Sequence, residues 1–426
     1  MDTIFGLSSG ALPAAIAIVR LSGSRALEIG TKIAGPMTTP RQMRLASFAD
    51  PLGDGDTPID RGLVVHFPAA SSVTGEDLVE FHCHGGKAVV RRLEDALKSF
   101  AHCRPAVAGE FTRRAFLNGR LDLTEAEGLG DLLTAETELQ RRSAMALAEG
   151  TFSKTVEDWR RRLLDLSAMV EADLDFNDDD DVTIDHAALQ ERRQSLVEEI
   201  AQLLERPRAE ALKEGFIVAI AGPPNSGKST LFNALLDDDA AITAPIAGTT
   251  RDILKRQVAI DGVPFEFVDM AGLRDDSADP IEKIGIDRAN RQIENAQLVL
   301  WLGEEGGGPL GAWEIETKAD IAAARKATAD HRVSAVTGEG MDALISALTT
   351  HAREALPVPG TVAINHRQAD LLKEAVRVLE DSRRFEDPII LGEHLRIARL
   401  QFDKLLGRTG VEDVLDTVFG RFCIGK

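Results

Sequence analysis

Gly222-Pro223-Pro224-Asn225-Ser226-Gly227-Lys228-Ser229-Thr230 has the spacing G-x-x-x-x-G-K-S directly after the apolar run Phe216–Ala221. Its glycines let backbone N–H groups turn inward around a phosphate, and a following helix adds its partial positive charge. Lys228 can then reach β and γ oxygens, and Ser229 offers a hydroxyl to Mg2+. Four further elements follow in order. In Gly248-Thr249-Thr250-Arg251-Asp252, the Thr250 hydroxyl can complete the Mg2+ shell while a γ-phosphate is present, which makes a switch. In Asp269-Met270-Ala271-Gly272, Asp269 can hold Mg2+ through water and Gly272 N–H can meet the γ-phosphate. In Thr317-Lys318-Ala319-Asp320, Asp320 can accept from N1–H and the 2-amino group of guanine, which adenine does not present. In Ser334-Ala335, a backbone N–H can reach the guanine oxygen. Any one motif is weak. Five in this order predict a GTP hydrolase.

Two positions depart from the usual set. Thr317 stands where Asn is usual, which removes a side-chain amide that braces the loop and predicts weaker GTP binding. Leu273 stands where a Ras-like enzyme carries its water-orienting Gln. The carboxylate-rich loop that follows makes Glu282 the candidate for that role. Its alternative reading is an acid favoured by the dipole in the first turn of a helix. A bound monovalent cation could supply transition-state charge, with Asn225 as a ligand.

The elements that must position these residues are legible in outline. Phe216–Ala221 reads as a strand buried on both faces, and strands alternate with helices to about His351, as in a parallel α/β domain. Between two buried strands, Leu302–Ala312 is too short and too glycine-rich for the usual crossover helix. Residues 121–210 read as long amphipathic helices, and helices resume after Pro357-Val358-Pro359. The acidic run Asp178–Asp181 reads as a solvated loop. Ala14–Leu21 and Leu78–His84 read as strands and Ala88–Phe100 as a helix. The fold class is therefore multidomain: an N-terminal α+β unit (1–118), a helical domain split in sequence (119–212 and 356–426), and an inserted Ras-like P-loop G domain (213–355).

Composition limits the partners. The 426 residues carry a formal net charge of −20. That argues against a protein that simply coats nucleic acid. If RNA is a partner, its grip would come from another protein or from clusters such as Arg113-Arg114 and Arg120. Three cysteines, Cys83, Cys103 and Cys423, cannot staple such a chain and suit reduced thiols. No basic segment precedes Arg20, and no run is apolar enough to span a membrane, so a cytoplasmic protein is expected. Cys423 is fourth from the end, but Gly425 and Lys426 fit a lipidation signal poorly. His82 and His84 share one strand face and read as packing rather than as metal ligands.

Asp2-Thr3-Ile4, Thr74–Gly86 (TGEDLVEFHCHGG), Gly109–Leu133, Asp279–Ile286 (DPIEKIGI) and the terminal Phe422-Cys423-Ile424-Gly425-Lys426 run together with the nucleotide motifs. In this combination the whole chain resembles the MnmE (TrmE) family of tRNA-modification GTPases. The resemblance implies a folate-binding N-terminal domain that forms a homodimer, and a complex with the FAD-dependent MnmG. It implies addition of an aminomethyl-type group to C5 of the wobble uridine of certain tRNAs, with a one-carbon unit from 5,10-methylene- or 5-formyl-tetrahydrofolate. It implies K+ held by Asn225, Thr249 and backbone oxygens of the Ala244–Ile246 loop, where Ala244 replaces a common Thr. It matches Glu282 to the water-orienting glutamate. It places folate at Arg20, Glu80, Arg120 and Lys426, with Arg120 where Lys is common. It makes Cys423 a thiol of functional interest near the folate. The competing reading is a GTP-dependent assembly switch without group transfer.

Overall fold

The computed structural model describes residues 2–37, 39–53, 57–176, 186–236, 254–269, 296–321, 326–358, 360–385, 387–410, 412–420 and 422–425. Two compact units emerge. The first comprises Met1–Gly130, Ser153–Glu157 and Phe402–Lys426, the second Asp131–Phe152 and Asp158–Gln401.

In the first unit six strands form one sheet: β1 (Thr3–Leu7), β2 (Ala14–Ser22), β3 (Arg44–Phe48), β4 (Asp60–Phe67), β5 (Leu78–Gly85) and β6 (Cys103–Pro105), in the order β3-β4-β5-β2-β1-β6. Every pairing is antiparallel except β1 with β6. Strand alternation decides the faces. Ala17, Val19 and Leu21 of β2 and Val79, Phe81 and Cys83 of β5 point into a core shared with helices Ala26–Ala34 and Lys87–Lys98. Arg20, Glu80, His82 and His84 therefore stand on the opposite face, and Arg20 lies directly across from Glu80. Helix Glu412–Phe419 and Phe422 pack on Leu123 and Ala126 in a separate small core.

The second unit holds a sheet of order β12-β11-β10-β7-β9-β8. Its strands are β7 (Phe216–Ala221), β8 (Leu254–Ile260), β9 (Val263–Asp269), β10 (Leu298–Trp301), β11 (Trp313–Thr317) and β12 (His331–Val333). All neighbours are parallel except the β8–β9 hairpin. Asp261 and Gly262 turn that hairpin with positive φ at both positions, as a two-residue Asp-Gly turn requires. The phosphate-loop strand β7 is fully flanked by neighbours, which is why it reads as one apolar run. This is the inserted Ras-like P-loop domain the sequence predicts.

The expected crossover helix between β10 and β11 is indeed missing: residues 302–312 form turns. Trp301 fills the space. Its Nε1–H donates to the Glu304 carbonyl at 2.8 Å, and a Cβ on Gly308 would stand 2.7 Å from its ring.

The helices differ from the sequence reading in one respect. Leu123–Gly150, which the sequence reads as one long amphipathic stretch, instead breaks into Leu123–Thr134 and Glu138–Ala148. Thr137 starts the second helix with a reciprocal capping box to Gln140, a signature of helix initiation. Asn365 and Gln368 repeat the device at His366–Asp381. The two sequence-distant sets of helices are joined. The Arg193 guanidinium donates to Ser382 Oγ at 2.9 Å, and His366 N–H donates to Glu210 at 2.8 Å. No helix among the described residues is long and apolar enough to cross a membrane.

Candidate functional site

Residues 222–227 leave the C-terminal end of β7 and feed helix Lys228–Leu236. Ligands bind at such strand ends in open α/β sheets. Gly222 and Gly227 take φ of 151° and 96°, and Asn225 takes 61° at the tip. A side chain on Gly222 would crowd Leu302 and Gly303. Lys228 is buried, and its ammonium donates to the Gly222 and Pro223 carbonyls, both at 2.8 Å. A cation is thus held inside a ring of backbone, where phosphate oxygens can replace carbonyls. Ser229 and Thr230 are exposed at the helix N-terminus, where Ser229 fits a hard cation that favours oxygen ligands. Ser226 Oγ is buried without a hydrogen-bond partner.

The Thr317–Asp320 segment is fastened to this loop. Thr317 Oγ1–H donates to the Ser226 carbonyl at 2.6 Å, and Lys318 Nζ donates to the Asn225 carbonyl at 3.1 Å. The hydroxyl of Thr317 therefore supplies a brace that the sequence reading took to be lost. Asp320 is exposed, and Ala319 N–H donates to Val333 O at 3.2 Å, which sets the segment beside Ser334. Ser334 is buried, and its N–H already donates to Glu339 O at 2.8 Å. Of the two backbone N–H groups that the sequence offers for a guanine oxygen, that of Ser334 is therefore already engaged. Asp269 ends β9. Ala244, Ile246, Thr249, Thr250, Gly272 and Glu282 lie outside the described residues, as does the acidic run 178–181.

A second cluster lies in the first unit. Arg20 donates to Glu80 Oε1 through Nε at 3.0 Å and Nη2 at 2.8 Å, and His82 lies 3.3 Å from Glu80 Oε2. The Arg20 guanidinium sits 5.8 Å from the Phe111 ring centroid. The C-terminal tail comes to the same place. Ser8 Oγ–H donates to Gly425 O at 2.7 Å. Gly425 has φ 97°, and a Cβ there would overlap the Leu7 carbonyl. Gly6, directly across from Arg20 in the sheet, faces Gly425. Arg20, Glu80 and the tail are thus brought together. Arg120 instead donates to the Ala69 carbonyl, and Lys426 lies outside the described residues. Cys423 is exposed, while Cys83 and Cys103 are buried, and burial pushes both thiols up to about 11. His84 pairs with Asp60 at 2.9 Å. Among the described residues no group of His, Cys, Asp and Glu is arranged to hold a metal.

One expected nucleic-acid contact is corrected. Arg114 is buried and bonded to Glu76 at 2.9 Å and Glu110 at 3.1 Å, so Arg113-Arg114 is no basic surface pair. Glu110 also takes two bonds from Arg104, at 2.9 and 2.7 Å, and one from Val107 N–H at 3.0 Å. Burial raises its pKa, but Arg104, Val107 N–H and Arg114 outweigh that and bring it down to about 2. The sequence reading missed this network, although the Glu110–Arg114 spacing on one helix was visible.

Sheet order, phosphate loop and base-selecting segment together define a P-loop nucleotide hydrolase of the guanine-selecting class. Comparison with known proteins makes this particular. The model of the MnmE helical domain matches residues 123–423, and that of the GTP-binding protein TrmE N-terminus matches residues 3–120. The tRNA modification GTPase MnmE of Novosphingobium aromaticivorans is 54% identical over 100% of both chains. Those of Erythrobacter litoralis and Rhizorhabdus wittichii are 52% and 47% identical, covering all of this chain and 100% and 97% of theirs. The chain belongs to the MnmE family of tRNA modification GTPases.

Proposed function

We propose that this GTPase is K+-stimulated and works with an FAD-dependent MnmG-type partner. Together they add a carboxymethylaminomethyl (aminomethyl-type) group to C5 of the wobble uridine of certain tRNAs. The one-carbon unit derives from 5,10-methylene- or 5-formyl-tetrahydrofolate. Residues 1–118 serve as the folate-binding and dimerisation domain, 119–212 and 356–426 as the helical domain, and 213–355 as the G domain. The reading rests above all on the phosphate loop fastened to the base-selecting segment through Thr317 and Lys318.

Asn225, Ser226, Gly227, Lys228, Ser229 and Thr230 bind the phosphates, and Asp320 with Lys318 and Ala335 reads guanine. Ser229 and Thr250 hold Mg2+, which neutralises charge on the β and γ oxygens. Asn225, Thr249 and the backbone of Ala244 and Ile246 hold K+, which supplies positive charge where an arginine finger is otherwise used. Glu282 accepts a hydrogen bond from the attacking water and orients it. Asp269 and Gly272 respond to the γ-phosphate.

In the first unit, Arg20 and Glu80 offer a paired donor and acceptor that suit the edge of a pterin, with Arg120 and Lys426 toward its acidic tail. Ile16, Leu45 and Leu63, exposed by 62, 54 and 38%, stand on the same sheet face as Arg20. An apolar face of this kind suits a second copy of the chain.

Three measurements test the reading. GTP turnover in KCl should exceed that in NaCl by about tenfold or more, and Glu282→Ala should lower it by about 10²-fold. Equal rates in both salts would overturn the K+ role. Titration with 5-formyl-tetrahydrofolate should saturate at micromolar ligand, and its failure would favour an assembly switch. Nucleoside analysis of tRNA from cells lacking the protein should show loss of the C5-modified wobble uridine.

A further inference from the structure

Gly222 opens the phosphate loop, and the link between β10 and β11 presses on it. Ala221 and Trp301 lie opposite each other on neighbouring strands, and Leu302 N–H donates to the Ala221 carbonyl at 2.8 Å. A Cβ on Gly222 would stand 3.0 Å from the Leu302 carbonyl carbon and 3.1 Å from Gly303 N. Two backbones meet there with glycine on both sides, because no side chain fits between them. The Gly222 and Pro223 carbonyls are acceptors of Lys228. A shift of Gly222 therefore moves the ammonium that serves the phosphates.

We infer that Trp301 is a positioning residue for the phosphate loop: the link folds around its indole, which holds Leu302–Gly303 against Gly222. Residues 302–312 form turns, and a glycine-rich segment of this kind takes its shape from what it wraps. A Cβ on Gly303 would overlap the Trp301 ring, and one on Gly308 would come within 2.7 Å of it. The indole N–H donates to the Glu304 carbonyl at 2.8 Å, the partner such a group needs when it is enclosed. The ring also packs on the sheet cluster of Ala219, Ala221, Val268 and Val299. The link is tied to the strands by buried Lys326. Its Nζ donates to the Trp301 carbonyl at 2.8 Å and to Glu314 Oε2 at 2.6 Å, while Glu314 Oε1 accepts from Gly306 N–H at 2.9 Å.

Truncating the ring leaves Gly303 and Gly308 without the surface they pack on, and Leu302–Gly303 can then move off Gly222. The loss falls on phosphate binding and is felt alike by GTP and GDP. It does not fall on base reading, because Thr317 and Lys318 fasten their segment to the loop separately. Trp301 touches no nucleotide in this scheme. It acts through Gly222 and Lys228.

The inference rests on Gly222–Thr230 as the phosphate site, and its test uses the full chain. Trp301→Ala should raise KM for GTP and Kd for GDP by about tenfold and leave kcat within about twofold. The preference for GTP over inosine triphosphate, which lacks the 2-amino group, should stay unchanged. Trp301→Phe, which keeps a ring, should hold KM within about threefold of wild type. Gly308→Ala, which sets one methyl against the ring, should raise KM and Kd by a smaller factor. Lys228→Ala is the control for the underlying reading: if it leaves GDP binding intact, that reading fails. If Lys228→Ala weakens binding while Trp301→Ala and Gly308→Ala bind both nucleotides as tightly as wild type, the ring only fills space and the positioning role is wrong. A narrowed GTP preference in Trp301→Ala would overturn it too, by moving the effect to the base. Should Trp301→Ala not fold, unchanged KM and Kd in Gly308→Ala overturn the proposal.

Discussion

At the scale of single residues, substitutions are informative where one atom has one partner. Thr317 shows this. Its hydroxyl reaches the Ser226 carbonyl at 2.6 Å, so Thr317→Val, which keeps the shape and removes the donor, should raise KM for GTP by about three- to tenfold. Thr317→Ser should restore the wild-type value, and a KM insensitive to both would show the brace to be idle. Glu110 is the corresponding case for stability. Its folded pKa is depressed, to about 2, so it stabilises the fold above its unfolded pKa and loses that contribution as pH falls through the folded value. Loss of stability between about pH 4 and pH 2 is expected, amounting to about 2–3 kcal/mol. Chemical denaturation followed over that range should show the slope in the wild type and a flatter one in Glu110→Gln, which is less stable at neutral pH.

Among the elements, the β8–β9 hairpin stands out for what it joins. Its tip, Asp261-Gly262, is held by Leu139 N–H on Gly262 O at 3.3 Å and by Arg353 on Asp261 O at 3.1 Å. Its base ends at Asp269. Leu139 buries its side chain in the core of the parallel sheet. Leu139→Ala should destabilise this unit by about 2–4 kcal/mol, read as a lower denaturant midpoint. An unchanged midpoint would mean that the Leu139 side chain contributes little to the core of this sheet. Asp-Gly between two runs of alternating residues is a strong hairpin signal, and the sequence reading passed over it. The tail is an element of a different kind. It is held by Phe422 in a core and by Gly425, whose carbonyl accepts from Ser8 just past β1. Gly425→Val should weaken 5-formyl-tetrahydrofolate binding by about tenfold or more and leave GTP turnover near wild type, because φ 97° disfavours a β-branched residue there.

For the whole molecule, the charge of −20 acquires a structural meaning. Many arginines on the helices are neutralised locally, as in Arg141 with Glu138, Arg377 with Glu374 and Arg396 with Glu393. Arg114 is withdrawn from the surface altogether. If the partner protein supplies the RNA grip, tRNA binding by this chain alone should be weak, with a salt slope shallower than about −3 on a log–log plot, and steeper once the partner is added. A steep slope for the chain alone would place the grip here.

Much of the nucleotide site was legible because its chemistry is local in sequence. Phosphate loops need glycines at fixed offsets, and a buried parallel strand needs an unbroken apolar run, so Gly222–Thr230 and Phe216–Ala221 announce themselves. The missing crossover was legible for the same reason, since a count of residues is enough to exclude a helix. Contacts between distant segments were not. Thr317 could be read as a lost amide, but its hydroxyl bond depends on where the phosphate loop lies after folding. Arg114 could be read as surface charge until the sheet brought Glu76 beside it. Arg20 and Glu80 are 60 residues apart in sequence, and they meet because strand register places them opposite each other. The class of chemistry and the order of its parts are set by local residue patterns alone. The tertiary structure decided which charges are spent inside the protein, because that depends on a burial and a register that no local pattern encodes.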